Sequence, residues 1–262
     1  MRRMRRRVGL LLLAAAVAVC GVIALAVLGP SRDGLPLDRT GGVRLTYTVV
    51  PVGGRQPTAR DLELERTVVA NRIRAAGVAV SSVRLSEVAS LVVDLNLLTA
   101  ANVDQVRSLV GTTGRLDFVP LGQTPAAQDQ QLPDATIATR CDATLQVNCV
   151  LFSGDRVAAA KVGASQTGQR TVDFTLSGDG KQLFADYTSG HVGDYFAVVL
   201  DGKVITAPVI NEAIPGGQVQ ISQGGIDGFP LAAARNLVII LQSGQLLFPL
   251  RETSFNEVTP AP

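Results

Sequence analysis

The sequence predicts an α+β fold: a ferredoxin-like base subdomain with an inserted α+β head subdomain, preceded by one transmembrane helix. Three observations support this. Periodic segments run β-α-β-β-α-β through residues 43–119, the order of an antiparallel sheet with two helices on one face. A second set of strand and helix patterns follows at 172–250, after a change of composition. Residues 8–28 hold no charged side chain, a run long enough at about 1.5 Å per residue to cross roughly 30 Å of hydrocarbon.

At the N-terminus, residues 1–7 form a basic cluster of Arg2, Arg3, Arg5, Arg6 and Arg7, which holds that end in the cytoplasm and places everything after Pro30 outside. The competing reading is a cleaved signal peptide with a small-x-small site at Ala24-Leu25-Ala26. The apolar run exceeds the usual core of about 7–15 residues, which favours a retained anchor at 8–28. Cys20 follows Val19 inside the run and reads as a small membrane-facing hydrophobe rather than a lipidation site.

The base is expected over 29–120. Turn formers at 34–41 lift the chain off the membrane, and 43–50 reads as a strand. Residues 58–76 read as a helix capped by Thr58, with Asp61 at the capping-box position, Leu62, Val69, Ile73 and Ala76 on one face, and Gly77 as its stop. Strands at 78–85 and 91–97 are linked by polar 87–90. A helix at 100–110 is capped by Thr99 and closed by Gly111, and 114–119 makes the next strand.

The head is expected over 121–245, opening with an exposed excursion at 120–139 rich in Gln, Pro, Ala and Asp. Residues 172–176 read as a strand and 178–189 as a helix burying Leu183, Phe184 and Tyr187. In the hairpin at 198–205, Asp201-Gly202 supplies the turn, Lys203 starts the return strand, and Pro208 blocks continuation. A strand at 217–222 and a helix from Pro230 to about 242, before Gly244, complete this part. Residues 246–252 are expected to return to the edge of the base sheet, leaving 253–262 as a flexible tail.

Without the five clustered arginines, 19 basic residues face 22 acidic ones, so the outer part is slightly acidic and shows no basic stripe for nucleic acid. No tryptophan and few other aromatics imply cores of Val, Leu, Ile and Ala. Cys141 and Cys149 are expected to form a disulfide in an oxidising compartment. A metal site there would lack its remaining ligands. The one histidine, His191, has no marked partner or pocket and reads as an ordinary surface residue. Gly216-Gly217 and Gly224-Gly225 lack the strand-to-helix setting of a phosphate loop. The sequence predicts no catalysis and no cofactor.

The stretch VVLDGKVITAPVINEAIPGG at 198–217 closely resembles the signature of the SecD family of protein-export membrane subunits. Other segments resemble that family in the same order. LDRTGG at 37–42 keeps Asp38, Gly41 and Gly42 of the family's opening motif, and NRIRAAGV at 71–78 is similar to its helix end, with Gly77. TTGRLDF at 112–118 is similar to its strand start, with Gly114. VDFTL at 172–176, followed by Gly180, Phe184 and Thr188, fits the next block, and LQSGQL at 241–246 fits the last, with Gly244.

The resemblance implies a base near the membrane and a head that swings relative to it and captures emerging preprotein. Its implied partners are the translocation channel and full-length SecD/SecF-type subunits. After Pro30 the sequence shows no second long apolar run, so an accessory without its own proton channel is expected. Val209 and Ile210, just beyond Pro208, are candidate preprotein contacts, with burial in the core as the alternative. The other function considered is a diverged, membrane-anchored extracytoplasmic binding or scaffold protein unrelated to export.

Overall fold

Eleven strands in three sheets, with helices packed between and beside them, make up the described residues of the computed structural model: 37–78, 80–86, 89–96, 100–142, 144–223 and 226–260. The expected anchor at 8–28 and the basic cluster before it lie outside these residues. No helix among those described is long and apolar enough to cross a membrane.

The chain enters through a short helical turn, α1 (Leu37–Thr40), and then β1 (Gly42–Val49), whose alternation buries Val43, Leu45, Tyr47 and Val49 and turns Arg44, Thr46 and Thr48 outward. Helix α2 (Ala59–Ala75) begins with a complete capping box: the Thr58 hydroxyl accepts from the Asp61 N–H while the Asp61 carboxylate accepts from the Thr58 N–H at 2.9 Å. Its buried stripe includes Val69 and Ile73, as the periodicity predicts, but also Glu65 and Arg72. Strands β2 (Val80–Ser86) and β3 (Ser90–Asn96) and helix α3 (Ala100–Gly111) follow.

Here the structure departs from expectation. Of residues 114–119, read as the fourth strand of this sheet, 116–119 belong to β4 (Leu116–Gly122), which pairs elsewhere. From Leu116 to Leu121 every residue of β4 is buried, so both of its faces are covered, which an edge strand does not require.

The excursion at 120–139 is no free loop. It carries α4 (Asp134–Ala138), and Leu132 and Val150 pack with Val119, Leu121, Ala197 and Val199 into a small core on one side of β4. A disulfide joins Cys141 to Cys149 within this cover.

Next come β5 (Phe152–Ser153), β6 (Val157–Ala164), β7 (Arg170–Leu176), α5 (Gly178–Gly190), β8 (Tyr195–Leu200), β9 (Lys203–Thr206), β10 (Gln218–Ser222) and α6 (Leu231–Ser243). Two sheets result, of strand order β5-β4-β8-β9 and β10-β7-β6. Strand β6, an Ala- and Gly-rich segment, gave no strand signal in the sequence.

On α5, Phe184 and Tyr187 are buried, but Leu183 is 42% exposed, against expectation. The core between these sheets gathers Phe118, Phe152, Phe174, Phe184, Phe196 and Phe229, so the expectation of an aromatic-poor interior fails for this half.

The last strand, β11 (Leu250–Val258), pairs antiparallel with β1 and gives the first sheet the order β11-β1-β3-β2. Residues 253–258, expected as part of a loose tail, are therefore strand. The partial alternation of β11, buried at Leu250 and half-buried or exposed elsewhere, is that of an edge strand with one face in solvent.

Candidate functional site

The chain crosses between the first sheet and the other two after α3 and again after α6, and several motif residues gather where it does. Arg72, on α2, is wholly buried. Its Nη1 donates to the carbonyls of Leu109 (2.7 Å) and Thr112 (2.5 Å), and its Nη2 to those of Thr113 (2.8 Å) and Gly244 (2.9 Å). Burial pulls its pKa down to about 10, opposed by Asp201 and Glu65, so the guanidinium stays charged at neutral pH. The Leu246 N–H donates to the Thr113 carbonyl at 2.7 Å and ties the second crossing to the first.

Asp201, at φ +49° in the β8–β9 turn, accepts from the Arg115 N–H (2.9 Å), the Gly114 N–H (3.2 Å) and the Thr113 hydroxyl. Gly114 adopts φ +77°, and a Cβ there would sit 2.3 Å from Arg72 Nη2, so only glycine fits the crossing. Sequence reasoning singled out Gly114, Asp201, Gly202 and Gly244 but missed Arg72 and Glu65. Their signal was available: two charged residues seven apart on the stripe that buries Val69 and Ile73. The Glu65 Oε1 accepts from the backbone N–H groups of Leu247 (2.6 Å) and Phe248 (2.9 Å), while its Oε2 has no hydrogen-bond partner among the described residues. Burial pushes its carboxyl pKa up.

The remaining motif residues lie elsewhere. Asp38 is on α1, Gly41 links α1 to β1, Gly42 starts β1, and Gly77 follows α2. Lys203 pairs with Asp129 at 2.9 Å, and the Pro208 carbonyl accepts from the Phe196 N–H. The structure separates the two candidate preprotein contacts: Val209 is 38% exposed, whereas Ile210 is buried in the phenylalanine-rich core, so Ile210 is unavailable as a contact. The alternation of a short bridge between Tyr195 and Val209 turns the two side chains opposite ways. His191 stacks on Tyr187 with ring centroids 4.0 Å apart and its Nδ1 2.8 Å from the Tyr187 carbonyl. Burial pushes the Tyr187 hydroxyl up to about 12. Among the described residues no cluster of His, Cys, Asp or Glu could hold a metal.

The sheet β10-β7-β6 has two unlike faces. Ala160, Val172, Phe174, Leu176 and Ile221 pack inward. The opposite face bears a concavity of about 450 Å³, which Lys161, Asp173, Thr175, Gln218 and Gln220 help to line. Among the described strands, β6 and β10 each pair on one side only, so the sheet ends in two edges beside this concavity. Such an arrangement can take an extended chain by backbone hydrogen bonding.

The described residues thus form a mixed α/β fold, with two helices on a four-stranded sheet and a long insertion before its last strand. A family profile described as the SecDF P1 head subdomain matches residues 124–248. The chain belongs to the SecD/SecDF family.

Among its relatives, the protein translocase subunit SecDF of Thermus thermophilus is 32% identical over 239 residues, 86% of this chain and 31% of that protein. A solved structure described as "Structure and function of a membrane component SecDF that enhances protein export" is 30% identical, with a TM-score of 0.63, and covers 80% of this chain and 98% of its own. Another, SecDF in a "Super-membrane-facing form", is 29% identical with a TM-score of 0.68, and covers 88% of this chain and 32% of its own. The chain spans about a third of the length of the curated relatives it matches first.

Proposed function

We propose that this chain is a SecD-like accessory of Sec-dependent protein export that holds preprotein on the extracytoplasmic side of the cytoplasmic membrane, without catalysis or a cofactor. The single observation that carries the reading is the match at 30% identity to nearly the whole of a solved SecDF chain described as enhancing protein export. Residues 8–28 act as a membrane anchor, with the N-terminus in the cytoplasm. The first sheet is a ferredoxin-like base, a reading supported by its order β11-β1-β3-β2 with α2 and α3 packed on it. The head is inserted between the two crossings, from about Gly114 to about Gly244.

Extended, unfolded preprotein is the client, and the translocation channel or SecD/SecF-type subunits are the assembly partners. Val209 is the exposed apolar contact retained from the candidate pair. Depleting the protein in its native host tests the function: exported proteins should accumulate inside the cell, and unchanged export would overturn it. A photo-crosslinker placed beside Val209 should capture a translocating chain, and Val209→Ser should weaken that capture. Undiminished capture in a folded Val209→Ser variant would remove Val209 from the contact surface.

A further inference from the structure

Within the concavity of the β10-β7-β6 sheet, two opposite charges face each other without meeting. Lys161 on β6 lies directly across from Asp173 on β7, a position where oppositely charged side chains ordinarily pair. Yet the Lys161 ammonium has no ion-pair partner among the described residues. Asp173 is held elsewhere. Its Oδ1 accepts from the Thr171 hydroxyl at 2.8 Å and from the Gln220 amide at 2.9 Å, and its carboxylate lies over Gly163, where an added Cβ would come within 2.2 Å of Oδ2. A mid-strand glycine weakens a strand and often marks a close approach, which here is that of the carboxylate itself. Two donors therefore hold the acid aside, over the space that Gly163 leaves, and the ammonium is left without an ion-pair partner at a concavity that Gln218 and Thr175 also line.

We infer that this concavity binds an extended polypeptide segment through an acidic side chain, its carboxylate paired with Lys161. The inference rests on the reading above that the chain binds extended polypeptide, and it adds the charge class of the segment. Charge complementarity at Lys161 favours this occupant over a basic one, which Lys161 would repel and which could reach Asp173 only beside its bonds to Thr171 and Gln220. An exposed pair of this kind is worth about a two- to fivefold change in affinity.

The test uses the full chain in detergent and two labelled ten-residue peptides, one alternating Glu and Ser and the other Gln and Ser, read by fluorescence anisotropy at low salt. The Glu peptide should bind about two- to fivefold more tightly. Lys161→Gln should abolish that advantage, and Asp173→Asn should enlarge it. Gly163→Ala, which displaces the carboxylate, should reduce it. Because Lys161 is exposed, Lys161→Gln remains decisive even if Gly163→Ala fails to fold.

Equal affinities for the two peptides, binding of neither, or an advantage that survives Lys161→Gln would each overturn the inference. Equal affinities with export still dependent on the protein would remove only the charge assignment. Unchanged export on depletion would instead count against the export reading.

Discussion

The two halves of the molecule are held together by different interiors. The core of the first sheet is chiefly aliphatic, with Val43, Leu45, Val69, Ile73, Leu91, Val93 and Leu95 packed between four strands and two helices. The other half concentrates six of the chain's eight phenylalanines, with Phe118 stacked on Phe152 at 4.4 Å and lying 5.5 Å from Phe174. Between them stands a seam of charge and backbone carbonyls around Arg72. The difference teaches that cohesion within each half is apolar and insensitive to exact direction. Registration between the halves, by contrast, is set by directional, charge-assisted hydrogen bonds.

Breaking the seam should have the largest effect. Arg72→Ala removes the guanidinium from four buried or partly buried carbonyls, of which Thr113 keeps the Leu246 N–H, and opens a void; it is expected to cost about 4 kcal/mol or more in chemical denaturation. The loss should appear in probes placed in both halves. If only one half loses stability, the seam does not couple them.

Phe118→Ala comes next, at about 3–5 kcal/mol. It should act first on the phenylalanine-rich half, read as early loss of hydrogen-exchange protection on β7 and β8 while β1 and β3 stay protected. Equal loss on all four strands would mean that the molecule unfolds as one unit.

The smallest effect is the pH dependence of Glu65. Its folded pKa is raised by burial, so its contribution to stability is fully present below the unfolded value of 4.5 and is lost as pH rises through the folded value. Glu65→Gln retains an acceptor for Leu247 and Phe248, so its cost at neutral pH should stay within about 1 kcal/mol. It should also flatten the stability profile above pH 4.5. An unchanged profile would show that Glu65 does not titrate differently on folding.

Local signals were legible in the sequence and non-local ones were not. Thr58 and Asp61 announced the start of α2, and Asp201-Gly202 announced a hairpin, because each is a contact between near neighbours. Strand partners leave no such mark. Segment 114–119 stood in the right order for a fourth base strand, and only the unbroken burial of Leu116–Leu121 reveals a strand covered on both faces. Conversely, residues 253–258 read as tail because an edge strand with a solvent face needs few apolar side chains. At the candidate site, Gly114 and Asp201 were legible as motif residues. The free state of Lys161 was not, since it depends on Thr171, Gln220 and Gly163 converging on Asp173 from three strands.

The pairing of Gly42 with Val258 sets a timetable. During synthesis β1 leaves the ribosome well before its outer neighbour, which follows only after the whole insertion. Until then one flank of the nascent sheet stays open, and closing it demands a long-range encounter of the kind that slows folding. A chain stalled before Leu250 would present β1 as an unpaired edge, a place where another copy's strand could dock and aggregation begin.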